Sequence, residues 1–546
     1  MLYNFSKIKK GGIVLKKYIS IAIAVLICFT LLGCQNKTVS NSDFSSGEIV
    51  LNEDIFDSQN AGSTENIESN NDTSSTGSNH ETEGNTSTMK ETSENSQSIQ
   101  DTITTDRLGN IDLKAPYYSN GDNVAFIGDS ITANGIYINY IYDYFVTRYP
   151  KERIKFYNKG VSGDSAGGAL LRFETDIVTD NSNKANIMFG MNDFNQGYYN
   201  SPEPNAIMLR NQASAKNIFK NNMTSLIKEL NSKNIKNITL IESSIMDETS
   251  AISSTPVFTY GYNNVIASSK DLLTNFVSNS TTIKLVDFNS RMLVANELLH
   301  KEDASATVVS SDRIHPGNLG NWIMAYCYFK DLYFESDVAK VSIDYANQKL
   351  LLNKNCGISN IVKGSQTISF KFLPESLPLP ASKDYLIADK LCALTDDFNN
   401  EIITVNNLPE GKYKLMIDNN TIGSYSAADF SKGINIAVNP QNPDQVASMK
   451  INDLLNQKTV YELKLRRIAE AEIDLMKASV DLSDDQAVNA KFTEWKQSGG
   501  WSQYMANLYK TLKPQQSQMK SDINNIINRI YDSNIPTEHL IQIIPA

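Results

Sequence analysis

Between Asn123 and about Phe334, short apolar runs alternate with longer amphipathic stretches, and this rhythm leaves few folds open. The strand candidates are Asn123–Ile127, Arg153–Tyr157, Ala185–Phe189, Ile238–Ile241 and Ile283–Phe288. Between them, Ile136, Tyr140, Ile141, Tyr144 and Phe145 make one helical stripe, and Ile218, Met223, Leu226, Ile227 and Leu230 make another. Strand–helix alternation predicts a parallel sheet covered by helices on both faces. Ligands of such sheets bind outside the carboxyl ends of the strands, so chemistry is expected in the loops that follow the apolar runs.

Those loops carry polar blocks. Ser130 lies in Ile127-Gly128-Asp129-Ser130-Ile131, directly after the first apolar run. Asn158-Lys159-Gly160-Val161-Ser162-Gly163-Asp164-Ser165 follows the second, and Gly190-Met191-Asn192-Asp193 follows the third. Asp312-Arg313-Ile314-His315-Pro316 precedes the last helical stretch of the region. A hydroxyl, an imidazole and a carboxylate that orients it are the parts of a serine hydrolase. Of the 4 histidines, His80, His300, His315 and His539, just His315 stands in such a setting. On a turn or the start of a helix, residues i and i+3 point the same way, so Asp312 is placed to support His315. Each block also has a plainer reading. Gly163 suits a turn, Asn192 suits a helix cap, and Asp312 suits an N-cap with His315 in the first turn.

Together the four blocks resemble the SGNH (GDSL) hydrolase family, named for its Ser, Gly, Asn and His. The resemblance covers roughly residues 122–334 and rests on Ser130, Gly163, Asn192 and His315 in order. It implies a flavodoxin-like three-layer α/β/α sandwich with a parallel sheet. It also implies a Ser130 nucleophile, His315 as base, Asp312 as its orienting acid, and an oxyanion hole of the Ser130 and Gly163 backbone N–H groups with the Asn192 amide. Members of the family cleave carboxylic esters, including acetyl groups on polysaccharides, lysophospholipids and thioesters. The Gly-Val-Ser-Gly-Asp block and an appended β-rich module look more like the carbohydrate-esterase relatives, which points to deacetylation of O-acetylated glycans. A lipase or lysophospholipase is the alternative enzyme, and a catalytically inactive glycan-binding surface lipoprotein is the alternative outside catalysis. Asp129, Asp164 and Asp193 are expected to brace loops by hydrogen bonds, and Phe194, Tyr198 and Tyr199 to form a ligand platform or to pack the loop. No cofactor is expected, and no metal, because no cluster of His or Cys has ligand spacing.

The rest of the chain divides by texture. Residues 1–34 read as a secretion signal, with Lys7, Lys9, Lys10, Lys16 and Lys17 before the apolar Tyr18–Leu32. Leu31-Leu32-Gly33-Cys34 resembles the lipobox of bacterial lipoproteins, which implies lipidation of Cys34; an ordinary signal or a short anchor with an incidental cysteine is the plainer reading. Residues 35–107, rich in Ser, Asn, Thr and Glu, are expected to be a disordered tether with a reach on the order of 50 Å. Residues 108–336 are then the catalytic domain, 337–443 a small β-sandwich-like module and 444–546 a helical C-terminal region. The expected location is extracytoplasmic, anchored by lipid to a bacterial cell membrane. A net charge of −11 argues against nucleic acid as a partner. Cys327, Cys356 and Cys392 are compatible with one disulfide and a thiol or with three thiols, and the oligomeric state is open.

Overall fold

The computed structural model describes residues 110–546; the signal and tether expected over residues 1–107 lie outside that range. A two-residue strand, β1 (Asn110–Ile111), opens the described chain. Five parallel strands follow: β2 (Asn123–Gly128), β3 (Lys155–Gly160), β4 (Lys184–Phe189), β5 (Asn237–Glu242) and β6 (Ile283–Asp287). They lie in the order β3-β2-β4-β5-β6. Each strand candidate of this region is present, with ends displaced by at most 3 residues. Because β2 leads first to β3 on one side and then to β4 on the other, the chain reverses direction across the sheet beside β2. The loops after β2, β3 and β4 therefore meet over one crevice.

After β2 come the helices α1 (Ser130–Asn134) and α2 (Ile136–Arg148), and α3 (Asn318–Asp331) returns against α2. Tyr140 of α2 stacks on Trp322 of α3 with ring centroids 3.9 Å apart. Such a pair adds about 0.5–1.5 kcal/mol beyond the area it buries. Phe126, Ile127, Ile187 and Leu240, all fully buried, form the centre of the sheet's core.

Beyond α3 the chain builds nine strands: β7 (Asp337–Asp344), β8 (Lys349–Lys354), β9 (Cys356–Lys363), β10 (Ile368–Pro374), β11 (Asn400–Asn406), β12 (Lys412–Ile417), β13 (Asn420–Ser426), β14 (Ile434–Asn435) and β15 (His539–Pro545). One sheet runs β1-β8-β7-β11-β14 and the other β13-β12-β15-β10-β9. Val341, Ile343 and Val405 of the first share a core with Phe370, Leu415 and Ile541 of the second, so the sheets face each other as a sandwich. Asp418 and Asn419, both with positive φ, make the tight turn between β12 and β13. β15 lies between β12 and β10, so the C-terminal strand is an interior member of its sheet. The sequence reading had not marked it.

The helical region contains α4 (Pro443–Lys477) and α5 (Gln516–Ser533), with two further α-helices and a short 3-10 turn between them. Ile451 and Leu455 of α4 and Ile526 and Ile530 of α5 belong to the same core as the parallel sheet. Asn452, Leu455, Thr459, Glu462 and Arg466 form one buried stripe along α4 at helical spacing, and four of its five members are polar. Tyr531 of α5 both accepts from the Ile154 N–H (2.8 Å) and donates to its carbonyl (3.1 Å). Cys327, Cys356 and Cys392 are free thiols. Burial pushes the Cys327 and Cys356 thiols up to about 12, which makes both poor nucleophiles.

Candidate active site

Ser130 is the first residue of α1, immediately after β2. Asp129 caps that helix, accepting a hydrogen bond from the Ile131 N–H at 3.0 Å. The Asp129 side chain is buried, and its other oxygen has no hydrogen-bond partner. Burial pushes this carboxyl up to about 7, with the Ile131 N–H and the nearby His315 opposing the rise.

The Ser130 hydroxyl lies 2.8 Å from His315 Nε2, and His315 Nδ1 lies 2.6 Å from Asp312 Oδ2. Asp312 and His315 occupy a turn before α3. The other Asp312 oxygen accepts from the Ser310 hydroxyl (2.7 Å) and from the backbone N–H groups of Ile314 (2.9 Å) and His315 (3.0 Å). Burial alone would raise the Asp312 carboxyl. The His315 ring and these backbone donors outweigh it and hold the group at about 2. Asp312 is thus a carboxylate at any ordinary pH. The Ser130 and His315 side chains are only half-buried, which leaves the hydroxyl open to a substrate.

The turn itself is held by a residue the sequence reading passed over. Arg313 adopts φ +70°, uncommon for a residue with a side chain, and is buried. Its guanidinium donates to the carbonyls of Thr255 (2.7 Å) and Asp247 (3.0 Å), and its own carbonyl accepts from the Asp247 N–H at 2.9 Å. Flanked by Asp and Ile in sequence, it carries no local sign of partners some sixty positions upstream.

Gly163 lies in the loop after β3 and Asn192 in the loop after β4. Gly163 has φ +70° and is exposed, and a Cβ there would meet nothing within 4 Å, so the residue is selected by conformation rather than by space. The Asn192 amide donates to the Asp164 carbonyl at 3.0 Å, which ties the loop after β4 to the loop after β3. Asp193 accepts from the N–H groups of Ala166 (2.9 Å) and Gly190 (3.0 Å), and burial pushes it up to about 7. Asp164 accepts from Arg172 Nε at 2.8 Å. The aromatic residues after Asn192 divide. Phe194 is buried edge-on against Phe219 and Tyr199 against Tyr262, so these two pack the loop rather than form a platform.

Residues 124–327 match the family model of the GDSL-like lipase/acylhydrolases. These residues are a GDSL-like lipase/acylhydrolase domain. An acetylxylan esterase from Geobacillus stearothermophilus is 31% identical over 88 residues, 13% of this chain and 40% of that relative. The chain thus spans less than half of the curated relative it matches. A solved structure described as a gut microbial diltiazem-metabolizing enzyme is 27% identical, with a TM-score of 0.73 over 79% of this chain and 99% of that one. A match of that extent reaches past the acylhydrolase domain into the sandwich and the C-terminal helices. A solved acetylxylan esterase from Geobacillus stearothermophilus is 22% identical and covers 40% of this chain and 96% of that one, at a TM-score of 0.32.

Proposed function

We propose that the chain is a serine esterase working through an acyl-enzyme on Ser130. We further propose that it removes acetyl groups from O-acetylated glycans outside the cytoplasm, held at a bacterial membrane by a lipid on Cys34. The observation that carries the catalytic part is the continuous hydrogen-bonded line from Ser130 Oγ through both nitrogens of His315 to Asp312, at 2.8 and 2.6 Å.

His315 Nε2 takes the hydroxyl proton as Ser130 Oγ bonds to the ester carbonyl carbon. Asp312 holds the ring in the tautomer with its proton on Nδ1 and stabilises the imidazolium that forms. Negative charge gathers on the former carbonyl oxygen. The Ser130 and Gly163 backbone N–H groups and the second N–H of the Asn192 amide are the donors assigned to it. The tetrahedral intermediate collapses, its bond to the alcohol oxygen breaks, and His315 returns the proton to that oxygen. Water then repeats the sequence on the acyl-enzyme, releasing the acid and restoring Ser130. The glycan assignment draws on the acetylxylan esterase relative and on the carbohydrate-esterase character of the Gly-Val-Ser-Gly-Asp block.

The test is acetate release from acetylated xylan and from an aryl acetate by wild type and Ser130→Ala. Loss of turnover by at least about 10³-fold in the variant is expected for a nucleophile. Equal turnover by the two proteins would overturn the catalytic assignment. Turnover of the aryl acetate without acetate release from xylan would overturn xylan as the glycan.

A further inference from the structure

We propose that Arg466, on the C-terminal helix α4, is a positioning residue for the oxyanion-binding loop of the Ser130 site, so that the helical region is part of the catalytic apparatus. The inference rests on the esterase reading above.

Arg466 is buried, and its guanidinium reaches across to the end of β3. Nε donates to the Gly160 carbonyl at 2.9 Å and Nη1 to the Asn158 carbonyl at 3.2 Å. These two residues are the seat of the nucleophile's helix. The Asn158 amide donates to the Ala133 carbonyl at the end of α1 (3.1 Å). Gly160 packs so closely under α1 that a Cβ on it would lie 2.1 Å from the Ala133 nitrogen. Three residues beyond Gly160 is Gly163.

A second line of contacts runs from the same guanidinium. Arg466 grips both oxygens of Asp176, at 3.0 and 2.6 Å. Asp176 also binds Arg172 at 2.7 Å, and Arg172 binds Asp164 at 2.8 Å and approaches the Gly128 carbonyl at 3.4 Å. Asp164 follows Gly163 directly, and its carbonyl receives the Asn192 amide. Arg466 therefore holds the loop of Gly163 from both ends: through β3 on the entering side, and through Asp176, Arg172 and Asp164 on the leaving side. A planar fork with several fixed donors suits two carbonyls and a carboxylate at once, which a lysine ammonium does not. Asp176 keeps Arg172 and Lys159 beside it when Arg466 is removed, so the variant does not strand a buried charge. A cavity of about 380 Å³, lined by Lys159, Asp176, Glu462 and Arg466, opens beside the guanidinium and admits a small solute.

The experiment compares wild type with Arg466→Ala, Arg466→Lys and Lys464→Ala, an exposed position on the same helix, in the full chain. Aryl acetate turnover and the rate of covalent labelling by an aryl phosphonate are measured. Arg466→Ala is expected to lower kcat by roughly 10- to 100-fold, the range for a misplacement near 1 Å, with KM within about twofold of wild type. Added guanidinium is expected to restore part of the loss, and Lys464→Ala to behave as wild type. A folded Arg466→Ala whose kcat is unchanged, whose loss lies in KM, or whose loss guanidinium does not relieve overturns the proposal. Should Arg466→Ala not fold, Arg466→Lys decides: reduced kcat supports the positioning role, and wild-type kcat overturns it. Ser130→Ala, run in the same assay, separates the two readings, because undiminished turnover there overturns the esterase reading itself.

Discussion

The Asn192 side-chain amide donates one of its two N–H groups to the Asp164 carbonyl, which leaves the second for the oxyanion role proposed above. If that N–H stabilises the oxyanion, Asn192→Ala removes one donor of three. Kcat is expected to fall by about 10²–10³ with little change in KM. A folded variant near the wild-type kcat would exclude the role. Asp312 has a different dependence. Its carboxyl is held at about 2 in the folded protein, below the roughly 3.9 of an unfolded aspartate. It therefore contributes stability above the unfolded value and loses it only as pH falls through about 2. The residues of the hydroxyl–imidazole–carboxylate line were legible because each sits in a short polar block beside an apolar element, Ser130 after β2 and Asp312 and His315 before α3. Arg313, Arg172 and Arg466 were not, because an arginine's sequence neighbours say nothing about carbonyls that approach it from distant loops. Arg466 was further disguised by the polar stripe of α4. An arginine among Asn, Thr and Glu reads as a solvated face, whereas here that face is the buried one.

At the scale of the element, the strands of the parallel sheet were legible because burial on both faces leaves apolar runs that no loop would carry. β15 follows the alternation His539-Leu540-Ile541-Gln542-Ile543, with the odd positions buried, but its partners are more than a hundred residues away. At its start, His539 ties it to two other elements. Nδ1 of that ring lies 2.6 Å from Asp418 in the β12–β13 turn, and Nε2 lies 3.1 Å from Asp444 in the first turn of α4. Burial would lower the imidazole, but the two carboxylates outweigh it and raise it to about 9. A histidine raised above its unfolded value near 6.5 contributes stability that is fully present below that pH and disappears as pH rises through about 9. The melting temperature of wild type should therefore exceed that of His539→Gln most clearly near about pH 6, with the gap closing by about pH 10. Glu401 of β11, pushed well above its ordinary value by burial and by Asp444, also feels the His539 charge, so the difference between the two proteins reports on His539 together with this carboxyl. A gap independent of pH would mean that the ring acts by packing alone.

For the whole molecule, the decisive point is how the appended parts meet the acylhydrolase domain. Ile451, Leu455, Ile526 and Ile530 of the C-terminal helices complete the core of the parallel sheet, and β15 returns from α5 to complete the sandwich. Residues 110–546 therefore work as one body rather than as a catalytic domain with passengers, and composition could not reveal this because each part looks self-sufficient on its own. A body that deacetylates a glycan fixed in the envelope needs to stay near its substrate and still search for ester groups. Under the proposal above, a lipid on Cys34 would keep the protein beside that substrate. Cys34→Ser is therefore expected to move the protein from the membrane fraction to the soluble one while leaving aryl acetate turnover unchanged. Metabolic labelling with a fatty acid should mark wild type and not the variant. A Cys34→Ser protein that stays wholly in the membrane fraction would show that the attachment lies elsewhere.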